Sequence, residues 1–332
     1  MPVPLIDVSI GLPEERGERK IIPPVNGGHY DMIIIGGGPA GMTAAVYAVR
    51  KRLLVLMVTQ DIGGQVLLTS DVENYTGYSL ISGSELIRRF EQQLARFELS
   101  QALGEEVSRL LSEDAGFAVI TRQGTEYHAP TVLIASGKRS RPLGVPGADT
   151  LVGRGVSYCA TCDAPLFDGR DVAVVGGGNS GLTAALDLLQ IANRIYLIEK
   201  SSSLKADPVL IERAEKSGKV EKYLGFEVKG ILGEKRVSGM EIQSGQTGER
   251  EALAVQGVFI EIGLVPNSGF AEGVVARNPR GEIIVDCACR TNLPGVFAAG
   301  DVTTVPEKQI VVAAGEGAKA ALSAHRYLLG KK

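Results

Sequence analysis

Tryptophan is absent from the chain, and nothing functional follows from that. The scarcity of cysteine says more. Four cysteines in 332 residues are too few for a secreted disulfide scaffold. Long apolar runs are also missing. Stretches such as residues 32–35 are a handful of residues, against the ~20 that a membrane-spanning helix needs. Neither sign of charge is in excess, since 35 basic residues face 38 acidic ones for a formal charge of −3. That balance excludes the basic surface of a nucleic-acid binder, and no block of like charge marks a tail. Residues 1–30 lack the basic start and apolar middle of a signal peptide. They carry Pro2, Pro4, Pro13, Pro23 and Pro24, and residues 1–29 are expected to form an extension laid on the surface. The expectation is a cytoplasmic protein with no membrane and no nucleic-acid partner.

Glycine, by contrast, is abundant. Forty-two glycines cluster in short motifs, which points to tight turns and close approach of backbone to ligands. Residues 31–35 form a short apolar run suited to a buried parallel strand. Gly36-Gly37-Gly38-Pro39-Ala40-Gly41 follows at once, and an alanine-rich helix is expected over residues 42–50. In such a strand–turn–helix the glycines permit the turn, and free N–H groups at the helix N-terminus bind a pyrophosphate. Pro39 fits the first helical turn. The next strand, residues 53–58, ends at Thr59, Gln60 and Asp61 without the usual ribose-binding carboxylate at its tip. Gly64, Gln65 and Asn74 stand in polar loops that suit the edge of an isoalloxazine ring or its ribityl chain. Residues 84–97 show helical spacing of Leu86, Phe90, Leu94 and Phe97. Short alternating strands follow over residues 102–127. The strand at 131–135 ends in Ala135, Ser136 and Gly137, small residues beside which a cofactor fits. Residues 138–146 read as a crossover to a second domain.

The fingerprint then repeats. A strand at 170–175 leads into Gly176-Gly177-Gly178-Asn179-Ser180-Gly181, a helix over 182–191 and a strand at 195–198 ending at Glu199. Glu199 lies near the ~20-residue distance at which a carboxylate hydrogen-bonds an adenosine ribose 2′-hydroxyl. It would repel a 2′-phosphate, and Lys200-Ser201-Ser202-Ser203-Leu204-Lys205 supplies no arginine cluster, so NADH is favoured over NADPH. Two nucleotide sites suggest two cofactors. Side chains alone cannot accept a hydride, so a flavin is expected to connect the nicotinamide to sulfur. Residues 257–266 read as a strand followed by a Gly-x-x-Pro crossover that serves as the return linker, and further strands are expected at 282–286 and 295–299. Gly300 and Asp301 follow, with Lys308, Gln309 and Ile310 opening a long helix to about residue 329. Asp301 suits a ribityl hydroxyl. The helix start near Gln309 suits the flavin N1–O2 edge.

Between the two fingerprints stands Cys159-Ala160-Thr161-Cys162-Asp163. Two thiols so spaced suit disulfide exchange, one attacking and one resolving, and equally suit half of a zinc site. Cys287 and Cys289, one residue apart, are poor complements for a four-thiolate knuckle. In a strand they would point to one face and pack.

These stretches, taken in order, resemble low-molecular-weight thioredoxin reductases and the reductase module of the alkyl hydroperoxide reductase flavoprotein. The resemblance rests on residues 36–41, 63–65, 72–75, 159–163, 176–181 and 297–302 and spans residues 30–329. It implies an α/β fold of two Rossmann-like, three-layer ββα dinucleotide-binding domains. The FAD domain would comprise residues 30–140 and 266–332. The NAD(P)H domain, residues 141–265, would be inserted into it and carry the cysteines. Hinges are expected at 138–142 and 264–267. The resemblance also implies FAD, a homodimer, and a domain rotation that presents Cys162 to the flavin and Cys159 to a partner. Asp163 would serve as acid or base for the Cys162 thiolate, with a helix cap as the alternative. Ordinary members carry His-Arg-Arg and a later Arg for the 2′-phosphate, where this chain has Glu199, Lys200, Ser201 and Lys205. Gly181 replaces a frequent alanine, a change expected to matter little. Residues 1–29 are too few for the thioredoxin-like domain that precedes the hydroperoxide reductase module, so the acceptor is expected to be a separate thioredoxin-, glutaredoxin- or peroxiredoxin-type disulfide. A ferredoxin-fed or oxygen-consuming flavoprotein is the alternative, and a zinc-binding scaffold a third.

Overall fold

The computed structural model of the protein describes residues 21–68 and 72–331, apart from the side chains of Ile21, Leu68, Thr161 and Cys162. Six parallel strands form the first sheet, in the order Ile21–Ile22, Leu99–Leu103, Val55–Ile62, Met32–Gly37, Val132–Ile134 and Val296–Ala298. The period-two alternation of strand Met32–Gly37 divides two cores. Met32 and Ile34 point to a layer of helices that includes Ala44, Ala45, Ala320 and Ala324. Ile33 and Ile35 point to a four-stranded sheet whose Phe117, Val119 and Tyr127 cover them. Full burial of each of these aliphatic side chains stabilises by about 1.5–3 kcal/mol, so the run has to lie at the centre of the layers.

Helix Pro39–Arg50 and helix Ile310–Lys331 pack together in that first layer. Small residues set their spacing, because a Cβ on Gly317 would stand 2.1 Å from the Ala40 carbonyl oxygen. Helix Gly83–Leu94 is capped by the Ser82 hydroxyl, which accepts from Glu85 N–H at 3.2 Å.

The second unit repeats the plan. Its five parallel strands run in the order Val156–Ser157, Gly257–Ile260, Asp171–Val175, Arg194–Glu199 and Val220–Leu224. Val172, Val174, Ile195 and Leu197 face Leu182, Ala185 and Leu188 of helix Asn179–Leu188. Ala173, Val175 and Ile198 face Met240 and Ile242 in a three-stranded sheet. The chain passes between the units through a two-stranded antiparallel ribbon, Lys138–Ser140 against Leu264–Pro266.

Three expectations change. Residues 282–286 are not a strand: Ile283 alone makes isolated bridges, to Arg277 and Thr303. Cys287 and Cys289 lie in a turn rather than a strand, one exposed and one buried. Of the extension, residues 1–20 lie outside the described residues, but Ile21–Ile22 and Gly28–His29 are built into the two sheets as parallel partners of Leu99–Leu103 and Glu126–Ala129. Among the described residues no helix is long and apolar enough to cross a membrane.

Candidate functional site

At the first glycine turn, Gly36 adopts φ +113°, and a Cβ on Gly41 would stand 1.9 Å from the Gly36 carbonyl oxygen. Both positions therefore exclude side chains. Gly38 is different: a Cβ there would meet nothing within 4 Å. Gly38 stands at the N-cap of helix Pro39–Arg50 and offers no side-chain cap to the first N–H groups of that helix. This is the donor set and the room that a pyrophosphate needs.

Distant stretches converge on this turn. A Cβ on Gly64 would approach the Gly38 Cα at 3.8 Å, one on Gly300 (φ +76°) the Ala40 Cβ at 3.1 Å, and one on Gly36 the Ala135 carbonyl oxygen at 2.3 Å. The Asn74 side-chain amide donates to the Gln309 side-chain oxygen at 2.9 Å, across 235 residues. Gln65 donates to the carbonyl of Lys138 at 2.5 Å. Gly137, at φ +64°, accepts from the Asn267 N–H at 2.9 Å. Gln309 ends the loop before Ile310, the first residue of the long helix, and its carbonyl accepts from Ala313 N–H at 2.9 Å. Burial raises the Asp301 carboxyl above its ordinary range, against the opposing pull of Lys308 and Lys138. The Lys308 ammonium donates to the carbonyls of Asp301 at 3.2 Å and Thr303 at 2.5 Å. Gly36, Ala135 and Gly300, expected to hold a flavin, thus gather at the C-terminal ends of parallel strands of the six-stranded sheet.

The second turn has the same geometry. Gly176 adopts φ +122° against the Glu261 carbonyl, while Gly178 is open and caps helix Asn179–Leu188 without a side-chain bond. A Cβ on Gly181 would stand 1.8 Å from the Gly176 carbonyl oxygen. Alanine cannot replace it here without moving the turn, contrary to the expectation that the difference matters little. Asn179 is engaged by Asp207, donating to its carboxylate at 3.0 Å and accepting from its N–H at 2.7 Å. Ser180 lies exposed on the first helical turn. Glu199 accepts from Gly177 N–H at 2.6 Å and Ser201 N–H at 2.7 Å. Burial alone would raise its pKa, but these donors and Lys205 hold it below the ordinary value. Lys200 does not stand free beside it, because its ammonium pairs with Glu227 at 2.5 Å.

Cys159 is disulfide-bonded, and Cys287 and Cys289 are free. A disulfide sulfur is not a thiolate zinc ligand. The Ser157 hydroxyl accepts from Cys159 N–H at 3.0 Å and donates to its carbonyl at 3.1 Å. Helix Ala160–Asp163 follows, with Asp163 N–H donating to the Cys159 carbonyl at 3.2 Å. Ala160, Ala164 and Phe167 anchor this turn in the core beside helix Asn179–Leu188, and Phe167 meets Phe259 edge-on at 5.2 Å. The cysteine turn therefore belongs to the same unit as the second glycine turn. The side chain of Cys162 lies outside the described residues.

Three features escaped the sequence reading. Glu261, at the end of an apolar strand, is pushed up to about 7 by burial and by Asp187. Its position inside an apolar run was the available signal. Glu282 receives Lys138 at 2.9 Å and Lys308 at 3.5 Å, a juxtaposition with no local signature. Cys289 is buried at φ +60°, its thiol donates to the Glu316 carbonyl at 3.7 Å, and burial pushes it up to about 12.

Residues 30–317 match the family model described as pyridine nucleotide-disulphide oxidoreductase. The chain is 40% identical over 300 residues to the F subunit of alkyl hydroperoxide reductase from Staphylococcus aureus (strain MSSA476), covering 90% of this chain but 59% of that protein. It spans only about three-fifths of the length of such curated relatives. Lactococcus lactis thioredoxin reductase in its FR conformation superposes with a TM-score of 0.82 at 34% identity, covering 91% of this chain and 99% of that one. Thioredoxin reductase of T. acidophilum gives 0.79 at 36% identity, covering 92% and 99%.

Proposed function

The chain belongs to the pyridine nucleotide-disulphide oxidoreductase family, and from that premise we propose that it passes electrons from NADH through FAD and a Cys159–Cys162 disulfide to a protein disulfide of the thioredoxin, glutaredoxin or peroxiredoxin type. The observation that carries this reading is the disulfide-bonded Cys159 on the same unit as one uncapped glycine turn, joined by a ribbon to a second such turn. FAD, when bound, accepts a hydride from the nicotinamide and delivers two electrons to a disulfide. Gly36, Gly38, Pro39, Ala40 and Gly41 would hold its pyrophosphate, while Asp301, Gln309 and Asn74 would hold the ribityl and ring edges. Gly176, Gly178, Ser180 and Gly181 would hold the nicotinamide nucleotide, with Asn179 braced by Asp207.

In the exchange step the Cys159 thiolate attacks one sulfur of the partner disulfide and displaces the other as a thiolate. The Cys162 thiolate then attacks Cys159 in the mixed disulfide. The partner leaves as a dithiol, and the Cys159–Cys162 disulfide reforms. Asp163 holds the proton exchanged with Cys162. The reading divides the chain into a flavin domain, residues 30–140 and 266–332, and an inserted nucleotide domain, residues 141–265, which turns about the ribbon. It also includes a homodimer, which sedimentation would report at twice the chain mass.

Anaerobic titration tests the donor. The flavin-loaded protein should bleach with NADH at far lower concentration than with NADPH. Bleaching by neither would overturn the nicotinamide assignment and favour a ferredoxin-type donor. Cys159→Ser should retain bleaching and lose more than a hundredfold of its partner reduction. Unchanged partner reduction by this variant would remove Cys159 from the exchange.

A further inference from the structure

The loop after Glu199 is fastened from outside the nucleotide fingerprint. The Ser201 carbonyl accepts from Gly225 N–H at 2.9 Å. Two residues on, Glu227 of strand Phe226–Leu232 takes the Lys200 ammonium on one carboxylate oxygen at 2.5 Å and the Lys229 ammonium on the other at 2.7 Å. Lys200 directly follows the carboxylate expected to read the ribose, so it is the cation best placed in sequence to meet a 2′-phosphate there. Its ammonium is instead committed to Glu227. The other cation of the loop, Lys205, adds the smallest of the pulls that lower Glu199, after the hydrogen bonds from Ser201 and Gly177. The Lys205 N–H, meanwhile, is tied to the Gly177 carbonyl at 2.8 Å.

We infer that Glu227 is a specificity-determining residue: by holding Lys200 away from the ribose edge it keeps the second nucleotide site selective for a dinucleotide without a 2′-phosphate. This rests on the reading of that site as the nicotinamide site. Glu199 alone repels a 2′-phosphate. Its repulsion would be largely cancelled if the adjacent ammonium were free, since opposite charges a few ångströms apart offset one another. Glu227 prevents that cancellation by keeping the Lys200 ammonium on its own carboxylate. The two lysines lower the Glu227 carboxyl to about 2. Selectivity is thereby shared between a residue of the fingerprint unit and one in the small sheet behind it.

The test is calorimetric titration of the flavin-loaded protein with NAD⁺ and with NADP⁺. Glu227→Gln should tighten NADP⁺ binding about fivefold, the scale of one solvent-exposed ion pair, and shift NAD⁺ binding less than twofold. The gain should shrink as salt is raised. Glu227→Gln combined with Lys200→Met should lose the gain, and Glu227→Asp should restore the parent ratio. An unchanged NADP⁺/NAD⁺ ratio in Glu227→Gln, or a gain that survives Lys200→Met, overturns the inference while leaving the nicotinamide reading intact. If the parent protein binds neither nucleotide, the nicotinamide reading itself fails and takes this inference with it.

Discussion

The 1.8 Å that would separate a Gly181 Cβ from the Gly176 carbonyl oxygen, and the 1.9 Å between Gly41 and Gly36, make the two turns intolerant of a single methyl group. The colliding atom is backbone, so relief requires the turn itself to move. Forcing atoms into such a space typically costs about 1–3 kcal/mol. Gly181→Ala should therefore weaken nicotinamide nucleotide binding by about tenfold or more and leave flavin content unchanged. Parent-like affinity and melting in that variant would show the turn to be pliable. These glycines were legible because strand, turn and helix are contiguous and each glycine answers a local steric demand. Of the cysteine pair 287/289, Cys289 packs in the core as expected, whereas Cys287 is exposed. One-face alternation holds only in a strand, and the Asp286 carboxylate, accepting from Ala288 N–H at 2.8 Å and Arg290 N–H at 2.9 Å, folds that segment into a turn.

Among the elements, the ribbon strand Lys138–Ser140 is anchored where it begins. Lys138 and Glu282 are paired at 2.9 Å with side chains only 12% and 11% exposed, and Asn278 donates to the second carboxylate oxygen at 2.7 Å. Burial would raise Glu282, but Lys138, Asn278 and Lys308 hold it down to about 2. Its folded pKa lies below the unfolded one, so the stabilisation is fully present above about pH 4.5 and is lost as the pH falls from there toward 2. Lys138→Met should cost about 2 kcal/mol at pH 7, less than a wholly unpaired buried charge because Lys308 remains. Denaturant midpoints should show that loss shrinking below about pH 4.5. A loss independent of pH would assign it to packing rather than charge. The same cluster explains why residues 282–286 are not a strand. Glu282 N–H donates to the Asn278 side chain at 3.0 Å, and a backbone committed to that tight loop leaves only Ile283 for a sheet-like bridge. An apolar run of that length carries no sign of such a commitment.

Over the whole molecule, Asn267 stitches the two chain crossings together. Its amide donates to the Ser136 carbonyl at 2.9 Å, its carbonyl accepts from the Ser136 hydroxyl at 2.6 Å, and its side-chain oxygen accepts from Arg139 at 2.8 Å. Asn267→Ala should cost about 2 kcal/mol by leaving polar groups unpaired, and should speed proteolysis at residues 138–142. Unaltered stability and cleavage would place the restraint elsewhere in the ribbon. By itself the sequence determined the two strand–turn–helix units and the candidate cysteines, because each rests on spacing within some twenty residues, while the layered α/β class followed from the family resemblance that those motifs carry. Only the tertiary structure decided what meets across the chain: Asn74 with Gln309, Gly300 with Ala40, Lys138 with Glu282, and Lys200 with Glu227. Those contacts depend on how layers stack and where the chain crosses between units, and no local pattern of side chains encodes that path.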